Sequence, residues 1–125
     1  MIVSEIFGLA AQQAQWLTVR QTAVASNVAN ANTPGYRAVD VQPFADLLDN
    51  KLIAQTATHS AHFGGSSSAY AIKAAEVGGR AVDPNSSSVK IEEELVKSGD
   101  IAKAYQLNTA IVKSFHRMIL MTAKG

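Results

Sequence analysis

Counting from Val3 in alternating steps of four and three gives Val3, Phe7, Ala10, Ala14, Leu17, Gln21, Val24, Val28 and Ala31. All but Gln21 are apolar. A repeat of this period puts its residues along one side of an α-helix and predicts a long helix over residues 4–32, about 40 Å at 1.5 Å per residue. Thr33-Pro34-Gly35 then stops it. The residue before a proline is driven out of helical geometry, and a glycine after it supplies the positive φ of a type II turn.

A second stripe lies at the other end. Ile101, Ala104, Asn108, Ile111, Phe115, Met118 and Thr122 follow steps of three and four, and Leu107, Val112, Ile119, Leu120 and Met121 widen the apolar surface. Upstream, one of Ser86, Ser87 and Ser88 is expected to cap this helix. Glu92, Glu93 and Glu94 fall in its first turns and Lys113, His116, Arg117 and Lys124 toward its end, the order that suits the helix dipole. Ser98-Gly99-Asp100 is a place where the helix loosens or kinks. Two helices pairing with each other cover one stripe each, so a C-terminal segment this widely apolar needs more partners.

Between the two lies a polar middle. Residues 36–41 alternate weakly and suit an extended strand, and Pro43 suits the first position of a short helix over residues 44–54, with Phe44, Leu47, Leu48 and Leu52 on one side. Residues 56–69 are small and polar and read as a mobile loop, residues 70–77 suit a short element of either type, and Gly78-Gly79 ends it. The expected fold is mainly α: two long terminal helices forming a coiled-coil-like hairpin, joined by a largely irregular, partly mobile middle segment. Its parts are an N-terminal helix at 1–32, a turn with short elements and a flexible loop at 33–82, and a C-terminal helix at 83–125.

Composition narrows the chemistry. At 125 residues the chain has the length of one small domain and can bury only a modest core. Its formal charge is +1, which gives no field for nucleic acid. It has no cysteine, so disulfides, thiolate catalysis and cysteine metal sites are excluded. His59 and His62 lie in a Gly/Ser loop without a carboxylate cluster, and with His116 they make a poor metal set. The serine run lacks a His/Asp arrangement and reads as turn and cap. Glu92-Glu93-Glu94 reads as a solvated face rather than an acid pair, because consecutive helix residues point in different directions. Trp16 reads as packing rather than a stacking platform for bases. No catalytic, cofactor-binding or metal residue is expected, nor a cofactor. The first sixteen residues hold no cationic start followed by an apolar run, and no stretch is long and apolar enough to span a membrane.

The run from Ala25 into Tyr36, with Asn27, Asn30, Thr33, Pro34, Gly35 and Tyr36, resembles the signature of the flagellar axial proteins, the rod, hook and hook-associated subunits. In that family the signature closes the N-terminal helix. The short length, Tyr36-Arg37-Ala38-Val39-Asp40-Val41, Phe44-Ala45-Asp46-Leu47-Leu48 and the ending over residues 88–124 are most similar to its proximal rod subunits.

The resemblance implies a structural subunit that leaves the cytoplasm through the flagellar type III export apparatus. It implies assembly at the base of the periplasm-spanning rod. The implied partners are other copies, other rod subunits, and the basal adaptor and export-gate proteins at the MS ring, with no nucleic acid and no small-molecule substrate. Phe7, Leu17, Val24, Val28, Ile101, Ile111, Phe115 and Met118 are the residues expected to carry assembly. Asn27, Asn30 and Asn32 are expected to cap the helix or bond the following turn. Competing readings are another short subunit of the same family, a free-standing helical adaptor, and a small metal enzyme built on His59 and His62.

Overall fold

The computed structural model describes residues 2–49, 74–77 and 85–125. Five elements follow in order: α1 (Ile2–Ala29), β1 (Val39–Val41), α2 (Phe44–Asp49), β2 (Ala74–Glu76) and α3 (Ile91–Lys124). The expected mainly helical architecture is present, with the two long helices packed against each other. Leu52, His59, His62, Gly78-Gly79 and the expected loop at 56–69 lie outside the described residues.

The helices run antiparallel. Near one end of the seam Asn27 meets Glu94; at its centre Leu17 and Val24 close on Ile101; further on Asn108 reaches Ala10 and Gln13. Trp16 and Ala104 pack on the central cluster. Three fully buried branched side chains are worth about 1.5–3 kcal/mol each, a small core for helices this long. Eight residues separate Ile2 from Ala10, so α1 begins opposite about position 116 of α3. Every residue from 116 to 125 is exposed.

α1 ends more gradually than the proline alone dictates. The Asn30 N–H is shared between the carbonyls of Ser26 and Asn27, and Ala31 and Thr33 bond back three residues, so the chain tightens into narrower turns after Ala29. The expected turn follows, with the Tyr36 N–H donating to the Thr33 carbonyl at 3.2 Å and Gly35 at φ 76°. β1 then pairs antiparallel with β2, Asp40 opposite Ala75. Within the segment of undecided type, Ala74–Glu76 is a strand, and residues 70–73 lie outside the described residues.

Three local expectations are corrected. α2 begins at Phe44, leaving Pro43 just outside it with its carbonyl accepting from the Leu47 N–H. No serine caps α3: Lys90 stands at the N-cap without a side-chain capping bond, its Nζ facing Glu93 instead, while Ser88 Oγ accepts the Ala38 N–H at 2.7 Å and Ser87 Oγ the Val89 N–H. Ser88 thereby ties the approach of α3 to the chain entering β1, while the Ser87 bond is local. α3 also runs unbroken through Ser98-Gly99-Asp100, because its pairing with α1 outweighs the roughly 1 kcal/mol propensity cost of one glycine.

Candidate assembly interface

The seam carries polar groups at regular intervals. On α1, Gln13, Arg20 and Asn27 recur every seven residues between Ala10, Leu17 and Val24. On α3, Glu94, Ile101, Asn108 and Phe115 do the same. Leu17 and Val24 sit in the seam as expected, but Val28 is exposed and its neighbour Asn27 is the buried residue. Choosing positions for apolarity alone therefore selects the wrong side chain at this level of the helix.

Asn27 is 0% exposed and does more than cap. Its Nδ2 donates to the Val39 carbonyl at 2.7 Å and to Glu94 Oε2 at 3.1 Å. Its Oδ1 accepts from the Val39 N–H at 2.9 Å and the Tyr36 hydroxyl at 3.3 Å. The side-chain amide thus pairs with both backbone groups of Val39, as a neighbouring strand would. Asn30 follows the capping expectation, with Nδ2 donating to the Ser26 carbonyl and Oδ1 accepting from Thr33 Oγ1. Tyr36 OH also bonds Ser26 Oγ. Asn32 is exposed. Gly35 donates its N–H to the Ser86 carbonyl and Ser88 donates its own to the Tyr36 carbonyl, which ties the signature turn to the approach of α3.

Glu94, expected in solvent, is 2% exposed. Burying a lone carboxylate is costly, and here it is matched: Oε1 faces Lys97 Nζ at 3.1 Å and Oε2 accepts from Asn27. Lys97 also faces Asp40 at 3.5 Å, and Asp40 faces Arg20 at 3.4 Å. Two cations and two anions therefore balance along one line from α1 across β1 to α3. Arg20 lies 5.4 Å from the Trp16 ring centre, Trp16 packs against Phe44 at 5.9 Å, and its Nε1 donates to the Gln42 carbonyl at 2.8 Å. Among the described residues no buried side-chain polar atom lacks a partner. None of Arg20, Asp40, Glu94 or Lys97 stood out in the sequence, yet counting back seven from Ile101 lands on Glu94.

The residues expected to carry assembly divide into three groups. Leu17, Val24 and Ile101 are buried within the chain, where they hold the hairpin. Phe7 and Phe115 are half-buried. Val28, Ile111 and Met118 are exposed. Fifteen large apolar residues are exposed against seven buried hydrophobic ones among the described residues. Ten of the fifteen lie on α3, including Leu95, Val96, Ile119, Leu120 and Met121. A soluble chain does not ordinarily leave so continuous an apolar helix uncovered. His116 is exposed, and no group of three metal-ligating side chains exists among the described residues. No described helix is long and apolar enough to cross a membrane.

Comparison with known proteins places these features. The family model of the flagella basal body rod protein matches residues 7–37, the stretch from the first half-buried aromatic through the signature turn. The flagellar basal body rod protein FlgB of Agrobacterium fabrum is 42% identical, over 96% of this chain and 93% of the relative.

Proposed function

The chain belongs to the FlgB family of flagellar basal body rod proteins, and from that premise we propose that it is a structural subunit of the proximal rod, packed helically through its terminal helices into the drive shaft that carries torque for motility. The observation behind this reading is the imbalance of α3: its start is locked into the hairpin while positions 116–125 project beyond α1 with Met118, Ile119, Leu120 and Met121 exposed. A subunit of a helical assembly needs surface of this kind, because heterologous contacts that do not close must be satisfied by neighbours. Each large side chain buried on docking contributes about 1.5–3 kcal/mol, and several together outweigh the ordering of a helix end.

The role is mechanical, with no chemistry assigned to any side chain. The polar line from Arg20 to Glu94 fixes β1 against both helices, which gives each subunit a fixed shape through which to pass torque. Other copies and other rod subunits are the proposed partners, with the basal adaptor and export-gate proteins at the MS ring below them. Export through the flagellar type III apparatus is part of the same proposal.

The test is complementation. A strain lacking the gene receives the chain without residues 111–125, and swimming and basal bodies are scored. Loss of the rod is expected. Normal swimming with complete rods would overturn the reading.

A further inference from the structure

The two polar contacts of the seam are spaced alike on both helices. Asn27 and Gln13 are fourteen residues apart on α1, and their partners Glu94 and Asn108 are fourteen apart on α3. Because the helices run antiparallel, both contacts form together in a single register. Ile101 lies midway, seven residues from each α3 partner, and closes on Leu17 and Val24. Seven residues are two turns of a seam repeat, so a slide by that interval keeps the same side of α3 turned to α1.

One such slide suits the apolar residues better than the observed register. Moving α3 by one interval toward the C-terminal end of α1 puts Ile111 in the place of Ala104 on the central cluster, and Phe115 in the place of Asn108. Met118 follows in the same row as Ile111. The start of α1 then lies opposite about position 123 instead of about position 116, so the hairpin covers most of its own apolar end. Burial of apolar area favours that arrangement, yet Ile111 and Met118 stay exposed.

The groups that oppose the slide are polar. Asn108 would take the place of Ile101 among apolar side chains, and Ile101 that of Glu94 against Asn27. Ala104 would take the place of Lys97, leaving Asp40 with Arg20 alone. Buried amides with bonds unmade are costly. The opposite slide uncovers still more of α3 and sets Ile101 against Gln13.

We propose that the polar residues of the seam are a register lock: they hold α1 and α3 in the alignment that leaves the apolar end of α3 free, against a slid alignment in which the hairpin covers that end itself. Such layers select among alignments by what they forbid. The lock acts within one chain, and the rod-subunit reading only gives the free end a use. The backbone bonds of Gly35 to Ser86 and of Ser88 to Tyr36 also resist the slide, and the experiment separates their share.

The test reads the alignment directly. The chain has no cysteine, so G8C and K103C accept spin labels at two exposed positions, one on each helix. The slide moves the labels about 10 Å further apart along the axis. Pulsed electron spin resonance in an excess of unlabelled chain gives the distances within one molecule, and one distance is expected for the parent. Q13L/E94L/N108L removes the lock but leaves Asn27 its bonds to Val39 and Lys97 its pairing with Asp40. Circular dichroism is expected to show its helices intact, with a second, longer distance in at least about a fifth of the molecules. Q13L/N108L, which keeps the line from Arg20 to Glu94 whole, is expected to show that distance in a smaller share, and it decides alone if the triple variant does not fold.

A folded triple variant with only the parent's distance assigns the alignment to the turn bonds and overturns the lock, as does a single distance in Q13L/N108L where that variant decides. A second distance seen only without the excess of unlabelled chain belongs to contacts between copies and likewise overturns it. A gene deletion that swims normally removes the rod reading and leaves the lock standing, so the two fail separately.

Discussion

Replacing Asn27 by alanine tests the part of the structure on which the hairpin's shape depends. The side chain is wholly buried and serves Val39 twice and Glu94 once, besides Tyr36, which keeps Ser26 as a second partner. Truncation therefore strips a bond from three groups: the Val39 N–H, the Val39 carbonyl and one oxygen of Glu94. A buried polar group left unmatched costs about 1–3 kcal/mol, and water entering the small void recovers some of it, so the expected loss is about 3–5 kcal/mol. Against a total of about 5–15 kcal/mol for a folded domain, that is a large fraction. Asn30→Ala is the matched control. Its half-exposed amide bonds one carbonyl in the last turn and one threonine hydroxyl, and about 1 kcal/mol is expected. Urea unfolding followed at 222 nm on both variants gives the two values. Asn27→Asp keeps the acceptor but loses both donated bonds and sets a carboxylate against Glu94, so it should fare no better than alanine. Equal losses for Asn27→Ala and Asn30→Ala, or less than about 1 kcal/mol for the former, would show that the amide–strand pairing does not hold the segment.

Two further outcomes follow from local geometry. Gly35→Ala puts a Cβ on a residue at φ 76° and should cost about 1 kcal/mol in the same urea experiment; no change would mean that the turn relaxes freely. Asn108→Leu replaces a buried amide that donates to the Ala10 carbonyl, already engaged in its own helix, and to the half-buried Gln13. Stability should stay within about 1 kcal/mol of the parent or rise, and a loss beyond about 2 kcal/mol would show that the amide is a net source of stability in the seam.

The sequence speaks clearly where physics is local. Thr33-Pro34-Gly35 announces its turn because each residue restricts its own backbone, and the structure has that turn with Gly35 at positive φ. The long helices announce themselves through periodicity, and the Pro43 region through a short apolar run that becomes α2. The polar line does not. Asn27 finds its partners 12 and 67 residues away, and nothing in the residues beside it distinguishes a cap from a buried amide. Glu94 sits in a run of three glutamates that favours a solvated reading, and only the seven-residue interval to Ile101 and Asn108 betrays its inward position. Ser88 is diverted from capping by Ala38, a residue 50 positions distant. Polar residues in a helical seam escape a search for apolar stripes, because the stripe is defined by what is buried and not by what is greasy.

The account holds that the hairpin is stabilised by its inner seam and that the outer end of α3 is reserved for neighbours. Substituting serine at Met118, Leu120 and Met121 together separates the two, since all three are exposed and none belongs to the buried cluster. The decisive measurement is electron microscopy of basal bodies from cells carrying this triple variant, alongside its urea midpoint. An unfolding free energy within about 1 kcal/mol of the parent and basal bodies without a completed rod are predicted; complete rods built from the triple variant would contradict the claim.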